Sequence, residues 1–274
     1  MQNILITGCS TGIGLQTAIT LRDNGYKVYP TARDEKDVES LKALGFEYAR
    51  KLDVTIKEDI TLAIHHIMQR DEKLDAVFNN AGYGQPGAVE DVSVDTLKEQ
   101  FETNVFGLHE VTLQAMRIFR EQGYGKIIQH SSVLGIISLK FRGAYNASKY
   151  AIEGLADTMR QEVLGTDIYI STINTGPVTS KFRENALKKF NDNIDIEDSP
   201  FTEVYKKELK VRLENDKDNT PFNLPATSVA EVVFEIMKAN KPKPRYYVTK
   251  ATHILGFFKR ILSTSLLDRL LNRI

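Results

Sequence analysis

The opening of the chain, up to Gly25, constrains the fold more than any other stretch. Residues 3–7 read N-I-L-I-T, a short apolar run with glycine directly behind it. Such a run, with little polar alternation, predicts a strand buried on both faces, as in a parallel sheet. Gly8-Cys9-Ser10-Thr11-Gly12-Ile13-Gly14 follows and feeds an amphipathic stretch over 15–24, closed by Gly25. The order is strand, glycine turn, helix. Main-chain N–H groups at such a helix start are suited to hold a diphosphate. The spacing is G-x-x-x-G-x-G rather than G-x-G-x-x-G, and a plain tight turn is the alternative reading.

The alternation continues. Apolar runs predict strands over 27–31, 46–52, 74–78, 126–130, 168–174 and 245–249, and helical periodicity covers 56–69, 94–120 and 226–240. Strands and helices in turn, with parallel connections, imply an α/β chain: a single-domain, doubly wound parallel sheet of the Rossmann type. About seven strands with helices on both faces would span residues 1–274. Acidic and basic residues balance at 36 each, so no global field recruits nucleic acid or a membrane. Cys9 is the only cysteine, which excludes an internal disulfide framework and fits a reducing, cytoplasmic compartment. The five histidines show no metal-ligand spacing, so no metal is expected and surface or packing roles are. No secretory signal precedes the first strand, and no apolar run reaches the ~18–20 residues that span a bilayer.

The residues with chemistry lie at 132–149. Tyr145 and Lys149, in Y-N-A-S-K, are four apart and share one helix face, with Ser132 thirteen residues earlier. A free phenol has a pKa of about 10. A cation at ~6 Å and an effective dielectric of about 20 favours the phenolate by roughly 2–3 kcal/mol, about two pKa units, while burial opposes it. A tyrosine tuned this way can exchange a proton with a carbonyl or alcohol oxygen.

T-G-C-S-T-G-I-G at 7–14, Asp53, N-N-A-G at 79–82, Asn104, Ser132, Tyr145 and Lys149 occur in order and at fitting spacings. Together they resemble the short-chain dehydrogenase/reductase family over roughly residues 1–180 and again at the last strand. The resemblance implies hydride transfer between a nicotinamide cofactor and a carbonyl or alcohol. Tyr145 would give the proton in reduction. Lys149 would bind the nicotinamide ribose and lower the tyrosine's pKa. Ser132 would hold the substrate oxygen, and Asn104, kinking its helix, would order a water in a proton relay. Gly8, Ser10, Thr11, Gly12, Ile13 and Gly14 would cradle the cofactor. Asp53 and Val54 would meet its adenine, Asn80, Ala81 and Gly82 would wall it, and Val178 and Thr179 would touch the nicotinamide amide. The loop reads Thr175-Gly176-Pro177 where the family usually has Pro-Gly. An acidic residue after the second strand would bind ribose hydroxyls and repel a 2′-phosphate. Here Ala32 and then Arg33 stand there, with Ser10 near, and an arginine fork suits phosphate. NADP(H) is therefore the expected cofactor; Arg33 as a mere strand cap is the alternative.

Residues 181–225 interrupt the alternation at the position where ligands enter such sheets, which suggests a substrate lid. Phe182, Leu187, Phe190, Phe201 and Tyr205 are equally readable as pocket walls or as the insert's own core. The tail, 253–274, repeats apolar residues at helical spacing among Lys259, Arg260, Arg269 and Arg273. Peripheral membrane contact, packing over its own domain, and a partner subunit all stand open for it. The resemblance further implies a homodimer or homotetramer through the helices near 94–120 and 143–163. The apolar insert and tail agree with a lipophilic substrate: an aldehyde, ketone, retinoid, steroid, or a 3-oxoacyl or acyl-dihydroxyacetone-phosphate type lipid carbonyl. A non-enzymatic NADPH-binding sensor or scaffold is the alternative, distinguished by cofactor binding without turnover.

Overall fold

Ile4 and Ile6 point to one side of strand β1 (Asn3–Ile6), Leu5 to the other, and all three are fully buried. Cover on both faces is why this stretch carries so little polar alternation. The computed structural model describes residues 1–214 and 220–273; insert residues 215–219 and tail residue 274 lie outside the described residues.

The further strands are β2 (Lys27–Ala32), β3 (Arg50–Lys51), β4 (Ala76–Asn79), β5 (Tyr124–Ser132), β6 (Asp167–Thr175) and β7 (Arg245–Tyr247). The helices, in chain order, are α1 (Gly12–Asp23), α2 (Glu35–Ala43), α3 (Lys57–Asp71), α4 (Val94–Phe101), α5 (Leu108–Gln122) and α6 (Gly143–Glu162). They continue as α7 (Phe182–Asn193), α8 (Thr202–Val204), α9 (Lys210–Glu214), α10 (Thr227–Lys238), α11 (Lys250–Ile261) and α12 (Thr264–Leu271). All seven strands run parallel in the order β3-β2-β1-β4-β5-β6-β7. Leu21, Leu41, Val233 and Met237 of α1, α2 and α10 cover one face with Ile4, Ile6, Phe78 and Ile128. Ile60, Val111, Phe119 and Ala156 of α3, α5 and α6 cover the other with Leu5, Val77 and Ile127. This is the doubly wound parallel sheet that the alternation predicts. The strand order reverses between β1 and β4, which opens a crevice at their carboxyl ends.

Two elements differ from expectation. The strand expected over 46–52 shrinks to Arg50–Lys51. The Ala49 N–H closes a turn onto the Phe46 carbonyl at 3.1 Å, and Phe46 drops into the core beside Leu41. The single helix expected over 94–120 is α4 and α5 joined through a π-helical turn, Glu102–Gly107, with Asn104 inside it. Such turns insert an extra residue and re-aim main-chain groups.

The insert and the tail take different roles. Phe190 and Tyr205 are fully buried in a small cluster with Ala88, Ile194 and Leu209, with Phe201 packed against it; they form the insert's own core. Leu187 is half-buried. The insert's far end is tied back: Thr179 N–H donates to the Leu224 carbonyl at 2.9 Å and Leu224 N–H to the Pro177 carbonyl at 3.2 Å. The tail packs over its own chain. Leu267 and Leu271 bury against Val133, Leu134 and Ile137, joined by Leu255, Phe258 and Leu262. Among the described residues no helix is long and apolar enough to cross a membrane.

Candidate functional site

The crevice is stitched by Thr7 and Asn80. The Thr7 hydroxyl, buried at the end of β1, accepts from the N–H groups of Asn80 and Ala81, both at 3.0 Å. Asn80 Nδ2 donates to the carbonyls of Thr7 and Gly8 at 3.0 and 2.9 Å. Gly8 has φ +71°, and a side chain at Gly14 would put its Cβ 2.2 Å from the Gly8 oxygen. Only glycine permits this approach. Thr11 precedes α1 without capping it by its side chain, so the first-turn N–H groups face the crevice uncapped by it.

His130 links this turn to β6. Its Nδ1 lies 3.0 Å from Asn80 Oδ1 and its Nε2 3.1 Å from the Thr175 hydroxyl. Because the Asn80 amide nitrogen is committed to two carbonyls, Oδ1 must accept, which assigns the proton to Nδ1. Burial, then the Lys149 cation, pulls His130 down to about 3. The unfolded chain takes up this proton below about 6.5, whereas the folded one refuses it until about 3. Stability therefore falls as pH falls through that window, by up to ~1.4 kcal/mol per pH unit. Calorimetric melting between pH 6.5 and 4 is expected to show a declining midpoint, with a shallower decline in His130→Asn. An equal slope in the two proteins removes His130 as its source.

Ser132, Tyr145 and Lys149 meet beside that histidine. Ser132 ends β5, and its hydroxyl accepts from Leu134 N–H at 3.1 Å and lies 3.4 Å from the Thr175 carbonyl. Tyr145 and Lys149 project from one face of α6, with Lys149 Nζ 5.5 Å from the tyrosine ring centroid. Lys149 donates to the His130 carbonyl at 2.7 Å. Asn104 bridges both main-chain groups of Tyr83, at 2.9 and 3.1 Å, and donates to the Ser148 hydroxyl at 3.1 Å.

The electrostatics correct one expectation. Burial pushes Tyr145 up to about 12, with the nearby Ser132 hydroxyl and then the Arg142 cation pulling the other way. The expected lowering by Lys149 does not prevail. Lys149 itself is pushed down to about 8 by burial, with Glu153 opposing. The phenol is thus held protonated at neutral pH. The Tyr145 ring also packs against Phe182 of the insert, centroids 5.3 Å apart, whereas Phe190 and Phe201 pack against Tyr205.

The remaining predicted contacts follow the carboxyl ends of β2, β3, β4 and β6. Arg33 extends from the end of β2, its side chain 72% exposed and 3.6 Å from the Asp34 carboxylate. The Asp53 carboxylate accepts from the Thr55 N–H and hydroxyl at 2.9 and 2.7 Å, and Val54 is buried beneath Gly107. Gly82 abuts Asn104, and Val178 pairs with Leu224 at the neck of the insert. Gly12 has φ +60° and approaches Ser180. A groove of about 460 Å³ lies at the opposite end of the sheet beside Arg22, Lys27 and Asp71. It is far from these groups and from the strand ends where ligands of such sheets bind.

A family model described as short chain dehydrogenase matches residues 2–191. The chain belongs to the short-chain dehydrogenase family. An uncharacterized oxidoreductase of Escherichia coli K12, YbbO, is 34% identical over 271 residues, 98% of this chain and 94% of that one. A serine dehydrogenase in its closed form with NADP+ matches with a TM-score of 0.78 at 21% identity, over 92% of this chain and 96% of that one. A family member from Burkholderia phymatum in complex with NAD matches with a TM-score of 0.77 at 23% identity, over 95% and 92%. At those identities the two structures share the fold. As a short-chain dehydrogenase this chain is an oxidoreductase acting on alcohols or carbonyls with a nicotinamide cofactor.

For this short-chain dehydrogenase, sequence reasoning passed over three residues of the site. Thr7 was read only as the end of a strand, although a hydroxyl just before the glycine turn is placed to accept from a neighbouring strand end. His130 gave no signal beyond its position before the two serines. Arg142, three residues before Tyr145, carries no motif and drew no reading.

Proposed function

We propose that this short-chain dehydrogenase is an NADP(H)-dependent reductase of lipophilic aldehydes or ketones, with Tyr145 as the proton donor. The observation that carries the reading is the half-buried phenol with Ser132 and Lys149 beside it on α6 and the end of β5. The residues present fit a dinucleotide: the close glycine approach leaves main-chain N–H groups and the α1 N-terminus bare toward a diphosphate. When bound, the reduced nicotinamide supplies the hydride.

The chain's own residues do the rest. Ser132 donates to the substrate oxygen and holds it beside the phenol. Tyr145 hands that oxygen its proton; a phenol pushed up to about 12 is in the acid form that this direction requires. Lys149 takes the nicotinamide ribose hydroxyls and stabilises the tyrosinate left after transfer. Asn104, fixed through Tyr83 in its π turn, orders the water that returns a proton. Leu139, Leu255, Phe258 and Leu262 join Tyr145 in one apolar cluster, and Phe182 covers it, which supports a lipophilic substrate. Loss of NADPH absorbance with medium-chain aldehydes, retinal, steroid ketones and 3-oxoacyl thioesters tests the reading. No turnover on any of them counts against it.

Solved structures of this fold carry either NADP+ or NAD, and it is the exposed Arg33 guanidinium after β2 that supports NADP(H). A charge-assisted bond to a 2′-phosphate contributes roughly 1.5–3 kcal/mol. Arg33→Ala is expected to cut the ratio of kcat/KM for NADPH over NADH about 10–100-fold. An unchanged ratio leaves Arg33 as a strand cap.

A further inference from the structure

A cavity of about 240 Å³ lies between the insert, the segment leading into α6, and the end of the tail. Leu139, Leu209 and Leu271 form its apolar wall. Two of these, Leu139 and Leu271, belong to the apolar cluster that contains Tyr145. Half-buried Arg142 and the exposed Arg212, Lys140 and Arg273 also line it, against a single acid, Glu208, exposed likewise. In a chain whose charges balance overall, this is a strong local excess of cations.

Arg142 is the unusual member. It stands immediately before α6, three residues ahead of Tyr145, and is half-buried. Among the described residues neither its guanidinium nor that of Arg212 makes an ion pair or hydrogen bond. Burial and then the Arg212 cation pull Arg142 down to about 10. Arg183, which donates to the Thr220 hydroxyl at 3.0 Å, adds positive charge to both. A withdrawn guanidinium facing another cation is costly until an anion joins them. Two arginine forks converging on one space match the oxygens of a phosphate or carboxylate.

We infer that this cavity is an anion subsite of the active centre, and that the substrate is an amphiphile bearing a phosphate or carboxylate a few bonds from its carbonyl. The inference rests on the reductase reading above and narrows its substrate class. Arg142 and Arg212 grip the anionic group, about one helical turn from the phenol, while the cluster around Phe258 takes the chain. At ~30 Å³ per water the cavity has room for about eight waters, enough for a phosphate and several carbons.

The test compares matched substrates in NADPH oxidation: a long-chain alkoxy-hydroxyacetone against its phosphate monoester, and a long-chain β-keto acid against its methyl ester. At least tenfold higher kcat/KM for one or both anionic partners is expected, and the better one identifies phosphate or carboxylate as the group held. Arg142→Gln and Arg212→Gln should each reduce that preference tenfold or more. Equal kcat/KM within both pairs, or a preference that survives both variants, overturns the subsite. A second readout needs no turnover: decyl phosphate should raise the melting temperature of the wild-type protein by several degrees more than decanol, and lose this advantage in Arg212→Gln. Equal shifts from the two compounds also overturn it. If no carbonyl is reduced yet decyl phosphate keeps its advantage, the reductase reading fails while the anion subsite stands.

Discussion

Tyr145→Phe is expected to lower kcat by 10²–10⁴-fold, the usual contribution of a positioned general acid, while cofactor affinity stays within about twofold. The ring keeps its packing against Phe182 and its place in the cluster with Leu255 and Phe258, so the fold has no reason to change. What disappears is the one hydroxyl beside Ser132 that is held in its acid form. Steady-state NADPH oxidation measures the first quantity and fluorescence titration of the cofactor the second. A variant that keeps more than a tenth of the turnover moves the proton donor elsewhere.

Gly14→Ala is expected to weaken cofactor binding at least tenfold and to lower the melting midpoint by roughly 2–10 °C. The added Cβ would stand 2.2 Å from the Gly8 oxygen and 2.6 Å from Asn80 Nδ2. Backbone cannot yield as the end of a flexible side chain can. The turn must shift, and the 2.9 Å bond from Asn80 to Gly8 shifts with it. Gly25→Ala is the control. Its φ of +81° carries backbone strain, but nothing lies within 4 Å, and it closes α1 at the end away from the crevice. Equal loss of cofactor affinity in both variants would mean that the effect is one of general stability.

The sequence was most readable where chemistry and backbone geometry are local. The apolar run before Gly8 could only be a buried strand, and Tyr145 and Lys149 needed nothing beyond helical spacing to share a face. Where partners lie far along the chain the reading ran out. Asn104 lies in a π segment and bonds Tyr83, twenty-one residues earlier. Phe46 looked like strand because its hydrophobicity is the same whether it extends a sheet or folds back beneath α2. The tyrosine's acidity was misjudged in direction, because a lysine at a known spacing can be counted from the sequence and the depth of burial cannot. The insert's aromatics divided between two roles for a similar reason: Phe190 and Tyr205 are held by each other and by Ala88, whereas Phe182 stands at the edge facing Tyr145.

The packing of α11 and α12 against Val133, Leu134 and Ile137 sets an order of assembly. A ribosome delivers all seven strands and the glycine turn before it delivers that helix pair. A chain lacking only that pair can therefore already hold its glycine turn while one apolar wall beside the phenol is still missing. That wall closes after the sheet does, and removing the chain beyond residue 250 would leave Tyr145 without it.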